Sequence, residues 1–129
     1  MAKQFEDLEV WIQARNLCRK IYQLLRHVSF KNDLALSNQL KRSSGSIMDN
    51  IAEGFERNGN KEFVQFLYIA KGSCGEVRSQ LYRSFDQSYL DDQTFQSLLD
   101  EARYISSLLQ KLIRYLKDSE LKGNKYRNR

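Results

Sequence analysis

The stretch Ile47-Met48-Asp49-Asn50-Ile51-Ala52-Glu53-Gly54-Phe55-Glu56-Arg57 decides the fold of this chain. Ile47, Ile51 and Gly54 recur at steps of four and three residues, which places them on one face of an α-helix. The same spacing continues backwards, so this helix is predicted to run from about Asp33 to Arg57. Asn58-Gly59-Asn60 follows directly and is typical of a turn that stops one helix and caps the next. The stretch therefore predicts two long helices joined by a tight turn.

Three further segments carry helical periodicity, and no segment alternates in the way that a β-strand does. They are predicted from about Asp7, acting as N-cap, to His27; from Lys61 to about Gln87; and from about Asp92 to Lys117. Ser29–Asn32 and Ser88–Asp91 are predicted to be short connections. The predicted inward-facing residues are Leu8, Trp11, Ala14, Cys18, Ile21, Leu25 and Val28 in the first helix; Leu36, Leu40, Ser43, Ile47, Ile51 and Gly54 in the second; Phe63, Leu67, Ala70, Cys74, Val77 and Leu81 in the third; and Phe95, Leu98, Ala102, Ile105, Leu109, Leu112 and Leu116 in the fourth.

The order of these elements predicts an all-α fold. Short connections make sequence neighbours antiparallel, so we expect an up-down-up-down antiparallel four-helix bundle. The near-heptad spacing of the apolar residues favours left-handed packing. The 129 residues include no proline and only six glycines, which suits long helices. We expect one domain, residues 5–118, followed by a basic, disordered tail over residues 119–129.

Charge and composition narrow the class of protein. The net charge is +5, but four basic residues, Lys122, Lys125, Arg127 and Arg129, lie in the terminal segment. The rest of the chain carries 17 basic and 16 acidic side chains, which argues against wholesale coating of a nucleic acid. No apolar run approaches the length of a membrane span, and the N-terminus does not read as a signal peptide. We therefore expect a cytoplasmic protein that does not enter the membrane.

The sequence shows no constellation of catalytic or metal-binding residues. Its one histidine, His27, excludes the paired Glu-x-x-His motifs of a di-iron bundle and a two-histidine zinc site, and it weakens any Ser-His-Asp triad. Cys18 and Cys74 fall on predicted apolar faces, so we expect reduced, buried thiols rather than a disulfide. We predict a non-enzymatic protein without metal or cofactor. An enzyme with its substrate in a cleft between subunits is the more distant alternative.

A basic flank is the main signal for binding. Arg15, Arg19, Tyr22 and Arg26 step by four, three and four residues, so they share one side of the first helix. Guanidinium groups beside a tyrosine can hold phosphates and stack an unpaired base, which predicts a nucleic-acid surface. The complete predicted set is Arg15, Arg19, Tyr22, Arg26, Lys31, Lys41, Arg42, Lys122, Lys125, Arg127 and Arg129. The alternative, which the residues alone favour, is a solvated flank whose cations complement the helix C-terminus.

A small and aromatic face of the third predicted helix is a second candidate. Tyr68, Gly72, Gly75, Ser79 and Tyr82 lie roughly opposite its core stripe. Glycine inside a helix costs about 1 kcal/mol relative to alanine, and two glycines on one face would let another backbone approach. This arrangement predicts an oligomer interface. The alternative is a tolerated pair of exposed glycines beside solvent-facing tyrosines.

A polar line, formed by Arg42, Ser46, Asn50, Glu53 and Arg57, follows the second predicted helix. Glu53 and Arg57 have the i,i+4 spacing of an ion pair that stabilises a helix. Asn50 borders the core stripe, where a hydrogen bond to a neighbouring helix would satisfy it. We expect a structural role for both features.

Three motifs in order carry a resemblance to a known family. They are Phe5-x-Asp7-Leu8-x-Val10-Trp11; Ser46-Ile47-x-x-Asn50-Ile51-Ala52-Glu53-Gly54; and Glu62-Phe63-x-x-Phe66-Leu67-x-Ile69-Ala70-x-Gly72-Ser73. From Phe5 to about Leu116 the chain resembles bacterial four-helix-bundle proteins encoded inside intervening sequences of large-subunit ribosomal RNA genes. Met48 stands where that family usually has proline, so a helix kink is not expected here. Arg42-Ser43-Ser44 replaces the usual arginine-alanine-alanine.

The resemblance implies a ring-like homo-oligomer, typically a pentamer, that binds nucleic acid and most readily structured RNA. The chain is also distantly similar to the accessory protein of diversity-generating retroelements, a pentamer that binds a reverse transcriptase and nucleic acid. We therefore expect an oligomeric protein that binds RNA or DNA and has no catalytic residues. The alternative is a protein-interaction scaffold, or an accessory subunit for an enzyme such as a reverse transcriptase.

Overall fold

A computed structural model describes the backbone of residues 2–127 and the side chains of residues 2–122. Within the described backbone, a 3-10 turn at Phe5–Asp7 precedes five α-helices and no strand is present. The helices are α1 (Glu9–Leu24), α2 (Val28–Lys31), α3 (Leu34–Glu56), α4 (Asn60–Asp86) and α5 (Asp92–Arg127). The all-α prediction is therefore confirmed, with four long helices and one short helix.

The four long helices form an antiparallel bundle. Helix α1 packs against α3 and α5, and α4 packs against the same two helices. Gln39 near the start of α3 bonds to Arg83 near the end of α4, while Gly54 near the end of α3 meets Phe66 near the start of α4. These two contacts fix opposite directions for α3 and α4. Equivalent contacts join α4 to α5 (Tyr82–Phe95 and Tyr68–Lys117) and α1 to α5 (Lys20–Glu101).

The core lies between the four long helices and is apolar. All six positions predicted to face inward from the second helix are buried in α3, which confirms that stripe. In α1 the buried residues include Val10 and Leu17, which the sequence prediction omits. Val28 is 67% exposed, so its predicted place in the core is wrong, because α1 ends at Leu24 and its period stops there. The other predicted core residues that are only half-buried are Leu8, Trp11, Cys18, Phe63 and Leu112.

The described helices are amphipathic rather than apolar throughout. Their buried stripes alternate with exposed polar faces, as expected for a bundle in water. None of the helices in the described part of the chain combines the length and apolar content needed to cross a membrane.

The first helix begins two residues later than predicted. Asp7 belongs to the 3-10 turn, and Leu8 occupies the N-cap position without a side-chain hydrogen bond, so the prediction that Asp7 caps the helix is wrong. The turn instead brings the ring of Phe5 edge-on to Trp11, with ring centroids 5.2 Å apart. This aromatic contact anchors the chain at the start of α1.

The connection predicted at Ser29–Asn32 contains the short helix α2. The short helix forms because Phe30 is fully buried, and one helical turn directs its side chain into the core. The backbone N–H of Phe30 donates to the carbonyl of His27 at 3.0 Å. Asp33 then caps α3, because its carboxylate accepts the backbone N–H of Leu36 at 3.2 Å. Helix α3 thus begins where the sequence predicts it.

The last helix is longer than predicted. The sequence places its end near Lys117, whereas α5 continues to Arg127. The described backbone over residues 119–127 is therefore helical where disorder is predicted, and the domain boundary predicted at residue 118 falls inside a helix. No proline interrupts this segment, so the backbone hydrogen-bond ladder continues past the last core residue, Leu116.

Gly54 allows α3 and α4 to approach closely at the turn that joins them. A Cβ atom at this position would lie 2.7 Å from Cβ of Phe66 and 2.9 Å from a ring carbon of Phe63. The Cβ of Phe66 follows its backbone, so the contact cannot be relieved by a side-chain rotation. Gly59, in the turn itself, has φ of +108°, a conformation that favours glycine.

Gly54→Ala tests this close approach. The added methyl group should lower the free energy of unfolding by about 1–2 kcal/mol, because overpacking outweighs the gain in helix propensity. Gly45→Ala is the matched control on the same helix, since nothing lies within 4 Å of its added Cβ, and it should stabilise by up to about 1 kcal/mol. Urea unfolding followed by circular dichroism measures both. Equal stability of the two variants would contradict the prediction.

Candidate nucleic-acid interface

The basic flank of α1 lies on the surface of the bundle. Ala14, Leu17 and Ile21 face the core. The predicted binding residues of this helix therefore point elsewhere, and Tyr22 is 43% exposed. Arg15, Arg19 and Tyr22 are exposed on α1. The predicted place of Arg26 on the same helix is wrong, because α1 ends at Leu24, and Arg26 is exposed in the turn that follows.

One contact links this flank to α3. The ammonium group of Lys41 lies over the ring of Tyr22, 5.8 Å from its centroid. A cation over an exposed aromatic ring is worth about 0.5–1 kcal/mol and holds the ring in place. The structure therefore brings an exposed tyrosine and an exposed cation from two helices into one surface.

Two arginines of the flank have partners on α1 itself. The guanidinium carbon of Arg15 lies 5.8 Å from the ring centroid of Trp11. Arg19 donates from Nη2 to the side-chain oxygen of Asn16 at 3.2 Å. Both contacts orient the guanidinium groups without neutralising them, so their positive charge remains available to an anion.

The remaining predicted cations do not all join this surface. Lys31 is exposed at the end of α2, the short helix that follows α1. Arg42 lies next to Lys41 in sequence but lines a groove between α3 and α4. Consecutive residues of a helix point about 100° apart, so α3 sends Lys41 toward α1 and Arg42 toward α4. The predicted set is thus divided between two surfaces.

The one terminal cation whose side chain is described, Lys122, lies at the opposite end of the bundle from Arg26. Lys122 is exposed near the end of α5. Because α5 is antiparallel to α1, this end lies near the start of α1 and away from Arg26. The predicted contributions of Lys125, Arg127 and Arg129 fall outside the described side chains.

The predicted interface on α4 is exposed and open. Tyr68 and Tyr82 are 45% and 46% exposed, and nothing lies within 4 Å of a Cβ added at Gly72 or Gly75. No atom in the described part of the chain therefore requires glycine at either position. Ser79 is exposed on the same face.

Both tyrosines of this face lean toward α5. The hydroxyl of Tyr68 accepts a hydrogen bond from Lys117 at 2.9 Å, and the ring of Tyr82 packs edge-on to Phe95 at 5.0 Å. These contacts place the tyrosines beside the two glycines rather than over them. The strip of α4 between the tyrosines therefore remains uncovered.

A polar seam joins α3 to α4. Ser43 Oγ lies 2.5 Å from Gln80 Oε1, and the hydroxyls of Ser46 and Ser73 are 2.8 Å apart. At one end, Arg83 of α4 donates to Gln39 of α3 at 2.6 Å. These three pairs occupy six positions along the contact between α3 and α4. They are the polar counterpart of the apolar packing at Gly54.

The polar line predicted on this helix has the expected structural role in part. Glu53 accepts a hydrogen bond from Arg57 at 2.8 Å, which confirms the i,i+4 pair. Asn50 donates to the backbone and side-chain oxygens of Ser46 in its own helix, at 2.8 and 2.9 Å. The predicted hydrogen bond from Asn50 to a neighbouring helix is therefore wrong, because Asn50 bonds within α3 and Ser46 makes the contact with Ser73 of α4.

Neither cysteine is arranged as a reactive thiol. Both are free, as predicted; Cys74 is fully buried and Cys18 is half-buried. Burial raises the pKa of the Cys74 thiol to about 11, an effect that the charge of Arg78 partly offsets. Burial also raises the pKa of Cys18, against a hydrogen bond with Ser44. Thiolates are the reactive form, so both groups are inert near neutral pH.

The described side chains offer no metal centre. Among them, no three histidine, cysteine, aspartate or glutamate residues cluster as ligands. His27 occupies the N-cap position of α2 and is exposed.

Comparison with known proteins identifies the family. The sequence pattern of the 23S rRNA-intervening sequence proteins matches residues 6–111. The chain belongs to this family. A crystal structure of a protein with unknown function, from the S23 ribosomal protein family of Bacteroides thetaiotaomicron, is similar with a TM-score of 0.76 and 23% identity. The match covers 81% of this chain and 95% of that chain, and at this identity it shows the fold alone.

The family match confirms the resemblance carried by the three sequence motifs. Among curated proteins, none matches this sequence.

The sequence prediction misses the groove between α3 and α4. Gln39, Glu76 and Gln80 line it beside Arg42. A signal was present, because Gln80 occupies a buried position of α4 that an apolar residue would ordinarily fill. Pairing it with Ser43 required the register of the two helices, which the sequence does not give.

The buried Cys74 thiol makes the stability of the protein depend on pH in the alkaline range. Between its ordinary pKa of 9.0 and about 11, the unfolded chain loses the Cys74 proton while the folded protein keeps it. The free energy of unfolding should therefore fall as pH rises through this range, by roughly 2–3 kcal/mol at most.

Urea unfolding at about pH 8 and about pH 10.5 measures this loss in the wild type and in Cys74→Ser. The serine hydroxyl can still donate to the carbonyl of Ala102, which accepts from Cys74 at 2.9 Å, but it does not titrate in this range. The variant should lose less stability than the wild type. An equal loss in both proteins would show that Cys74 is not the responsible group.

Proposed function

We propose that this protein is a non-enzymatic, oligomeric RNA-binding protein that holds structured RNA on the flank formed by α1 and the start of α3. The observation that carries the proposal is the exposed Tyr22 ring beside Lys41, with exposed Arg15 and Arg19 earlier on α1 and exposed Arg26 in the turn after it. Arginine and lysine supply the contacts to phosphates that dominate nucleic-acid affinity. The tyrosine supplies a flat surface for an unpaired base.

The arrangement favours RNA with unpaired nucleotides over a continuous duplex. Proteins recognise RNA sequence chiefly in loops and bulges, whose bases can stack on aromatic rings and guanidinium planes. Tyr22 and the Arg15–Trp11 pair are such groups, and they lie on the same flank of α1.

The small net charge of the body supports a local site. The sequence between Arg15 and Arg42 contains one acidic residue, Asp33, which is engaged at the start of α3. A localised patch positions a phosphate chain, whereas an evenly charged surface does not orient it. The site residues of this proposal are therefore Arg15, Arg19, Tyr22, Arg26 and Lys41.

Assembly of several copies would multiply this site. The exposed α4 face around Gly72 and Gly75 is the surface we propose for self-association, in the ring of five that the family resemblance implies. Its open glycines would allow a second backbone to approach, and its tyrosines would flank the contact. Several weak RNA sites on one ring would bind one RNA more tightly than a single site does.

A protein partner, such as a reverse transcriptase, is the second candidate. An apolar groove between the start of α4 and the end of α5 supports it, with Val64, Leu116 and Leu121 among its lining residues. Leu121 is 67% exposed, and an apolar groove of this kind can receive a hydrophobic side chain of another protein. Such binding would depend little on salt.

The RNA proposal is tested by removing three charges from the flank. The variant Arg15→Gln/Arg19→Gln/Arg26→Gln should bind a hairpin RNA at least roughly tenfold more weakly and with a shallower salt dependence. Each lost phosphate contact reduces the slope of log K against log salt by about one. Fluorescence anisotropy at several salt concentrations measures both quantities.

The matched control is Lys61→Gln/Lys111→Gln/Arg114→Gln, which removes the same charge from exposed positions on α4 and α5. If both triple variants weaken RNA binding equally, the cations act as a general field and the α1 flank is not the site. If the wild type binds no RNA at low salt, the RNA proposal fails and the protein partner becomes the leading candidate.

The assembly proposal is tested by Gly72→Ala/Gly75→Ala. In a single chain both methyl groups occupy open space and strengthen the helix, so the variant should remain folded. In an assembly through this face they would hold the backbones apart, and the mass measured by light scattering should fall. Gly45→Ala controls for an added methyl elsewhere. An unchanged mass of the double variant, or a monomeric wild type, would overturn this part of the proposal.

A further inference from the structure

The groove between α3 and α4 has a composition unlike the rest of the bundle. It has a volume of about 390 Å³ and is lined by Gln39, Arg42, Ser43, Ser46, Glu76 and Gln80. We propose that this groove receives one unpaired nucleobase while Arg42 holds the adjoining phosphate. The inference deepens the proposed function, because it gives the RNA site a second surface that reads a base.

The polar seam at the floor of the groove is not what helix packing alone would select. Gln80 is only 8% exposed and Ser43 only 6% exposed, in positions that face the core of the bundle. Apolar residues of similar volume at such positions stabilise a bundle at least as well as a hydrogen-bonded polar pair. Polar side chains kept at the edge of a core are therefore candidates for a functional role.

Hydrogen bonds fix the side chains of Gln39 and Gln80 but leave each amide with a donor or acceptor group that is not used. Arg83 donates to Oε1 of Gln39, which leaves the amide N–H groups of Gln39 free to donate elsewhere. Ser43 has one hydroxyl proton and two close acceptors, the carbonyl of Gln39 at 2.7 Å and the amide of Gln80 at 2.5 Å.

In either arrangement the hydroxyl oxygen of Ser43 is hydrogen-bonded to one of the two polar groups of the Gln80 side-chain amide. The second polar group of the Gln80 amide has no hydrogen-bond partner among the described side chains. Because no buried side-chain nitrogen or oxygen in the described residues lacks a partner, this group is not fully buried. It is therefore accessible from the groove that Gln80 lines. Gln80 can offer either its N–H groups or its oxygen, depending on how the proton is placed.

The groove presents both donors and acceptors. Arg42 and Gln39 supply N–H donors, and Glu76 supplies a carboxylate that only accepts. Among the described side chains, neither Arg42 nor Glu76 forms a salt bridge, so both charges are available. A bare phosphate needs donors alone and would be repelled by the carboxylate. The edge of a nucleobase carries donors and acceptors side by side, which matches this set.

The position of the groove connects it to the α1 flank. Lys41 and Arg42 are consecutive, and the width of α3 separates the surfaces that they serve. An RNA loop stacked on Tyr22 would cross α3 to reach Arg42, a distance comparable to the 10–12 Å diameter of a helix. The two surfaces can therefore hold neighbouring nucleotides of one loop.

The test compares two hairpin RNAs that differ only in their loop, one with its bases and one with abasic loop nucleotides. Binding is measured by fluorescence anisotropy for the wild type, Gln80→Leu and the control Gln110→Leu. Leucine keeps most of the volume of Gln80 and removes its amide, and Ser43 can then bond to Gln39 alone. Gln110 is half-buried on α5, away from the groove.

We expect the wild type to bind the intact loop about tenfold more tightly than the abasic loop, the effect of losing one good base contact. Gln80→Leu should bind both RNAs with the affinity that the wild type shows for the abasic loop. Gln110→Leu should behave as the wild type. Glu76→Gln should reduce the preference without unfolding the protein, because the amide keeps the shape and adds a donor.

The failure of this inference is separable from failure of the proposed function. If the wild type binds both hairpins equally, or if Gln80→Leu keeps the preference, RNA binding stands and the groove is not a base site. If the wild type binds no RNA, titration with the four mononucleotides decides. Binding that Gln80→Leu abolishes would support a site for a free nucleotide, and no binding would overturn both proposals.

Discussion

The bundle depends on the close approach of α3 and α4 at Gly54. With no side chain at that position, the backbone of α3 lies against Phe63 and Phe66, and this contact sets how far the two helices are displaced along each other. The register so fixed aligns Ser43 with Gln80 and Ser46 with Ser73 farther up the pair. A single steric requirement at the turn therefore determines which polar groups meet some distance away.

Helix α3 separates the two surfaces for which we propose RNA binding. Its inner stripe is buried among the other long helices, so only its two flanks are available to a ligand. One flank carries Lys41 beside Tyr22 of α1, and the other carries Arg42 beside Gln80 of α4. Residues that are adjacent in sequence thus lie on different surfaces. Basic residues that are close together in the sequence are therefore farther apart in space than the sequence suggests.

The sequence predicts the repeating features of this fold and misses those that depend on contacts between helices. The stripe through Ile47, Ile51 and Gly54 is set by backbone period alone, and the structure confirms it. The start of α1 depends instead on Phe5 meeting Trp11, and α2 depends on the burial of Phe30. Neither has a local signal. The α1 flank was likewise readable from spacing, whereas the groove needed the register that Gly54 imposes.

The polar groups of the interior and those of the surface differ in whether their hydrogen bonds are satisfied within the protein. Within the described residues no buried side-chain nitrogen or oxygen lacks a hydrogen bond, and the buried Cys74 thiol stays protonated near neutral pH. An interior whose groups are all satisfied gives stability but offers no group to react with a ligand. Unused hydrogen-bond capacity and uncompensated charge occur together along α3, at Lys41 and at the groove beside Arg42. The RNA-binding surfaces that we propose lie on the flanks of this helix, where binding needs no change in the core.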